Sequence, residues 1–184
     1  MDPKIEMRKS AEVEQVLLEV IHKRRSKRAY LDKPIDQKII DSLFEAARWA
    51  PSSANEQPWV YIYATKDQTA LWANLFDSLK DSNKVWAENA PLLILGIVRK
   101  NFMRNDQPNE SAIYDLGAAN AFLSLQATHM NLNVHQMGGF NHQKVTDAMR
   151  IPGTHEPVVI MAVGYPGSPE SLPEMLRQRE LAPR

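Results

Sequence analysis

Hydrophobic positions along the chain fall into two rhythms. Over residues 11–22, Val13, Val16, Leu17, Val20 and Ile21 recur at helical spacing. Asp36 is placed to cap a second helix reaching Trp49, with Ile39, Ile40, Leu43, Phe44 and Ala47 on its apolar side. Pro51 ends it, because a proline holds the residue before it extended. "PSSANEQP" reads as a loop by composition, and "WVYIYAT" after it is aromatic and β-branched, as strands are. Asp67 is expected to cap a helix carrying Leu71, Trp72, Leu75, Phe76 and Leu79. "PLLILGIVR" is apolar without alternation, which predicts a strand buried on both faces. A polar loop at 100–110 precedes a long helix over 111–130, apolar on most sides and so expected at the centre of the fold. "NVHQMG" predicts a third strand, Asn141 the cap of a short helix ending at Arg150, and "PVVIMAVGYP" a last strand. A polar helix is expected from Pro173. Helices and strands mix without a βαβ rhythm, which points to an α+β domain over 1–184.

Composition narrows the function classes. Twenty-two basic residues balance 22 acidic ones, and zero net charge disfavours a general nucleic-acid binder. The absence of cysteine removes disulfides, thiol nucleophiles and Cys-based metal sites. His135 and His142 match no zinc spacing, so no metal is expected. No glycine pair forms GxG and no GxSxG occurs, which excludes the dinucleotide fingerprint and the nucleophile elbow. "LLILGIV" is far short of the ~20 residues a bilayer requires, and the first residues lack an apolar signal core. A cytoplasmic protein without membrane contact is the expectation.

Against that neutrality, "HKRRSKRAY" stands out, with six of nine residues basic when His22 is counted. Cations at a helix C-terminus complement its dipole, which accounts for Lys23 and Arg24. Arg28 lies too far along for that role. A phosphate clamp uses Arg24, Arg25, Ser26 and Arg28 together, since guanidinium forks and hydroxyls bind phosphate oxygens well. On residue chemistry alone both readings stay open.

Three further segments bear on the choice. "RRSKRAY", "APSSANEQPW", the long helix followed by "HQMGGF", and "PVVIMAVGYPG" together resemble the successive motifs of the FMN-dependent nitroreductase family, in order, from residue 18 to 167. The resemblance implies a nitroreductase-like fold, a small mixed sheet flanked by helices around a long central helix, in an intertwined homodimer with FMN at the interface. Arg24 and Ser26, with Arg25 beside them, would serve the phosphate and ribityl end, and Arg28 the pyrimidine edge. Pro51, Ser52, Ser53 and Asn55, with Gln57 as a weaker candidate, would reach the flavin of the other chain. Met137, Gly138 and Gly139 would run beside the central ring, with one N–H toward N5. Plain turn roles are the alternatives for Asn55 and for the glycine pair.

The implied activity is ping-pong transfer of two electrons from NAD(P)H to nitroaromatic or quinone-like acceptors, with no side-chain nucleophile. Enone or halogenated substrates, a flavin carrier without turnover, and a module binding an anionic partner through 22–28 are the alternatives. The family pattern has a C-terminal arm beyond a motif like "LPEMLRQRELAPR", and here Arg184, with Arg177 and Arg179, is the remaining candidate for the phosphate. Trp72, Phe76 and Trp86 are expected in the core rather than on an acceptor, and Phe102 and Met103 are candidate pocket walls.

Overall fold

A computed structural model describes residues 15–182. Four strands form one sheet: β1 (Trp59–Thr65), β2 (Leu92–Arg99), β3 (Asn133–Met137) and β4 (His155–Gly164). Their order is β1-β2-β4-β3 and every pairing is antiparallel. The mixed sheet implied by the family resemblance is therefore not what the described residues of one chain form.

Burial follows the pleat. Along β2, Leu92 and Ile94 enter one core while Leu93, Leu95 and Ile97 enter the other, so the continuous apolar run does signal burial on both faces. Helices α2 (Gln37–Arg48) and α5 (Ala112–His129) cover the first face through Ile40, Leu43, Ala119, Leu123 and Ala127. Helices α3 (Thr69–Ser78), α4 (Asp81–Ala87) and α6 (His142–Met149) cover the second through Leu75, Trp86 and Val145. A short α1 (Glu19–Lys23) precedes the basic stretch, and α7 (Glu174–Leu181) follows the sheet.

The caps test the local reading. Asp36 Oδ1 accepts from Lys38 N at 2.8 Å and Asn141 Oδ1 from Lys144 N at 3.0 Å, as their positions predict. Asp67 does not cap. Gln68 occupies that position, and its Oε1 accepts from Thr65 N at 3.1 Å, closing the turn after β1 instead. The single helix expected past Leu79 is broken there: Leu79 is extended and bridges to Phe140, Lys80 N donates to Gly139 O at 3.0 Å, and α4 begins anew. This crossing ties α4 to the glycine pair.

Two expectations about helices change. Of the helix predicted over 11–22, residues through 14 lie outside the described region; Val16, Leu17 and Leu18 are exposed and only Glu19–Lys23 is helical. A helix this short draws its stability from burial, and this one gets little: it touches α5 and half-buries Val20, while Ile21 stays exposed. The long α5 is buried on one face only. Its other face leaves Ile113, Tyr114 and Phe122 at 53 %, 81 % and 41 % exposure, with exposed Gly117 and Ala121 between them. Among the described residues no helix is long and apolar enough to cross a membrane.

Candidate functional site

The basic stretch is held at the far end of β4. Leu31 N donates to Tyr165 O and Gly167 N to Ala29 O, both at 2.9 Å, so residues 29–31 run beside 165–167. Gly167 is required for this approach, because a Cβ there would lie 2.7 Å from the Tyr30 backbone. The Tyr30 hydroxyl donates within reach of the Lys27 and Ala162 carbonyls, at 3.1 Å each. From β3, His135 Nδ1 lies 3.0 Å from the Ser26 carbonyl and 3.3 Å from that of Lys27. Two carbonyl neighbours make Nδ1 the protonated, donating nitrogen.

Burial, and then the Arg28 cation, push the His135 imidazole down from 6.5 to about 4. The folded state therefore holds the ring neutral. Its stability contribution is full above pH 6.5 and is lost as pH falls from 6.5 toward 4, where the unfolded chain binds the extra proton. We expect up to ~3 kcal/mol of destabilisation across that window. Urea midpoints at pH 7 and pH 4.5 should differ more in the native protein than in a His135→Gln variant.

Helix α4 joins this stretch to the glycine pair. Trp86 packs at 4.5 Å from His135, the rings tilted by 47°, and lies 5.9 Å beneath the Arg28 guanidinium. Three positions earlier, on the same side of the helix, Asn83 Nδ2 donates to Gly139 O at 3.1 Å. Arg28 and the Ser26–Lys27 backbone thus share a neighbourhood with Met137, Gly138 and Gly139, through His135, Trp86 and Asn83. Arg24 Nη1 points at Ser26 Oγ at 3.4 Å. Arg25 turns back onto the carbonyls of His22 and Arg24 at 2.9 and 3.0 Å, the helix-end role open to this stretch. Met137 is buried in the core, whereas a Cβ on Gly138 would meet no atom within 4 Å. Neither glycine has a left-handed backbone, so their smallness matters here through access rather than turning.

The 51–57 segment lies elsewhere. It leads into β1, at the opposite edge and the opposite end of the sheet from His135. Three strand spacings of about 4.8 Å and six residues of about 3.3 Å along β4 separate the two corners by roughly 25 Å. Within one chain these groups cannot touch the same ring. The loop is nonetheless built with care. Ser53 N donates to Asp115 Oδ2 at 3.1 Å and Gln57 N to Ser52 Oγ at 3.0 Å. Ala54, Asn55 and Gln57 have φ of 53°, 55° and 51°. Asn tolerates that region, but Ala and Gln are strained there by ~1 kcal/mol each. Pro51, Asn55 and Gln57 are exposed, which leaves the loop free to meet another surface.

Asp115 was not a sequence candidate. It is 3 % exposed and the sole acid of α5, a signal legible in the sequence. Asp115→Ala should leave Ser53 N unpaired, cost about 1–2 kcal/mol by chemical denaturation and loosen the loop. Glu180 and Asn83 were also missed, and nothing in their polar helices marks them. Trp72 and Phe76 stack on each other at 4.8 Å against the core, and Trp86 is 1 % exposed, as core residues. Met103 borders a cavity of about 350 Å³ with Gln57, Val60, Arg99 and His155, while Phe102 lies 4.9 Å under Arg104. Arg177 pairs with Glu174, Arg179 is exposed, and Arg184 lies outside the described residues.

The family model for the nitroreductase family matches residues 21–165, which include the basic stretch, the 51–57 loop and the glycine pair. The chain belongs to the nitroreductase family. A relative from Stenotrophomonas maltophilia (strain R551-3), provisionally named NADH dehydrogenase/NAD(P)H nitroreductase, is 23 % identical over 171 residues, 83 % of this chain and 86 % of its own. A crystal structure described as an oxidoreductase containing FMN is 29 % identical, with a TM-score of 0.88 over 94 % of this chain and 89 % of its own. An FMN-dependent nitroreductase from Clostridium difficile R20291 shares the fold at a TM-score of 0.68 and 24 % identity, covering 79 % of this chain and 85 % of its own. The residues present at this nitroreductase's basic corner suit a flat phosphorylated ligand. Forked cations and a hydroxyl suit the phosphate, and the open backbone at Gly138 admits a planar group.

Proposed function

We propose that this protein is an FMN-dependent NAD(P)H oxidoreductase acting on nitroaromatic or quinone-like acceptors. The observation that carries the reading is the approach of Arg28 and the Ser26 backbone, with Arg24 beside Ser26, to the segment left open at Gly138, organised by α4 and β3. Bound FMN would supply the two-electron redox chemistry. Arg24 and Ser26 would hold its phosphate and ribityl end. Arg28, pinned above Trp86, would place a fixed cation beside the pyrimidine edge, where negative charge gathers on reduction. The backbone at 138–139 would present an N–H to N5, and the open face there would admit the donor and then the acceptor, in ping-pong order.

The site is completed by a second chain. The 51–57 loop cannot reach the basic corner of its own chain, and α5 leaves a contiguous apolar face at Ile113, Tyr114 and Phe122. Gly117 and Ala121 on that face permit close approach of another helix. In a homodimer joined there, Pro51, Ser52, Ser53 and Asn55 of one chain would meet the flavin of the other. Exposed apolar patches of this kind mark interaction surfaces.

The visible spectrum of the purified protein tests the cofactor and the donor together. A yellow chromophore released by heat as FMN, and bleached by NADH or NADPH before an acceptor is added, is the expected result. A colourless protein that cannot be loaded with FMN would reject the reading.

A further inference from the structure

The basic stretch contains one acid that its own sequence does not supply. Glu180, on α7, is 3 % exposed. Both its carboxylate oxygens lie 3.2 Å from Arg28 N, which donates to them. Oε2 lies 3.9 Å from the Arg28 guanidinium. Glu180 also raises the pKa of the Tyr30 phenol, as the second cause after burial, and Arg28 acts against it. Burying a carboxylate is costly unless it is paired and hydrogen-bonded. Here the backbone N–H of Arg28 satisfies it, while its charge remains beside the one cation that Trp86 fixes in place.

We infer that Glu180 is a positioning residue that sets how strongly Arg28 favours the reduced flavin. The inference rests on the reading that Arg28 borders the flavin pyrimidine. Reduction brings two electrons and, near neutral pH, one proton, so the ring gains one negative charge. Arg28 stabilises that charge and Glu180 opposes it. Glu180 thereby holds the potential below the value that Arg28 alone would give, and anchors the backbone from which Arg28 projects. Few sequence features foretell this, because α7 reads as an ordinary polar helix with Glu174 and Arg177 paired on its surface.

The test is the two-electron midpoint potential of bound FMN, measured by dye equilibration at pH 7.5 in the intact holoprotein. Glu180→Gln keeps an oxygen acceptor for Arg28 N and removes the charge. It should shift the reduced-to-oxidised ratio at a fixed poise about tenfold toward reduced, equivalent to ~30 mV for a two-electron couple. Glu180→Asp should stay near the native value, and Glu174→Gln, on the same helix but exposed, should not move it. An unchanged potential in Glu180→Gln, alongside a lowered one in Arg28→Ala, would overturn the inference and leave the Arg28 reading standing. An unchanged potential in Arg28→Ala would remove both. Failure of Glu180→Gln to hold FMN would also overturn it, since the carboxylate would then be needed for structure.

Discussion

Arg28→Ala should lower the midpoint potential of bound FMN and slow its reduction by NAD(P)H on the order of a hundredfold, the usual scale for losing one preorganised electrostatic contact. The effect follows from where Arg28 sits. Its backbone is fixed by Glu180, its guanidinium rests over Trp86, and His135 braces the carbonyls just before it. The cation is therefore in place before any ligand binds. Truncation also leaves Glu180 buried without its charged neighbour, at a cost of about 1–2 kcal/mol in stability. Arg28→Lys should recover stability better than rate, because an ammonium lacks the planar fork that rests on an aromatic face. Stopped-flow reduction and redox titration of both variants separate the two effects. A native rate and potential in Arg28→Ala would reject the role given to this residue.

Tyr114→Asp should give a protein that elutes as a monomer and is colourless. Tyr114 is 81 % exposed in the single chain, so the substitution costs the isolated fold little. Across a symmetric interface the same change buries two carboxylates opposite apolar surface, which association does not tolerate. Loss of the partner removes the 51–57 loop from the basic corner. If that loop makes three hydrogen bonds to the flavin, at about 1 kcal/mol each, affinity should fall by more than a hundredfold. Sedimentation and fluorescence titration with FMN measure the two losses on one sample. A colourless dimer, or a yellow monomer, would break the link between them.

Much of this arrangement is legible in the sequence because it is local. The run Leu92 to Val98 reads as a strand buried on both faces and is one, and Asp36 and Asn141 cap where their positions say they should. Asp67 misled because a turn after a strand and a helix cap draw on the same residue types, and Gln68 closed the turn instead. The break between α3 and α4 was invisible for another reason. It is made by the pairing of Leu79 with Phe140, a contact across 61 positions that periodicity does not encode. Of the motif residues, Ser26 and Arg28 are tied by His135, Trp86 and Asn83 to the segment that carries Gly138 and Gly139. The partners that hold them, Glu180, Asn83 and Asp115, are reached only through the fold. The apolar side of α5 was read as core. Half of it is core in one chain, and the other half is where a second copy would sit.

The central claim is a flavin site completed by two chains, and native mass spectrometry of the purified protein tests it most directly. The expected species contains two chains and two FMN molecules, and gentle activation should release flavin together with dissociation of the chains. A single chain retaining FMN, or a dimer that takes up none when FMN is supplied, would contradict it.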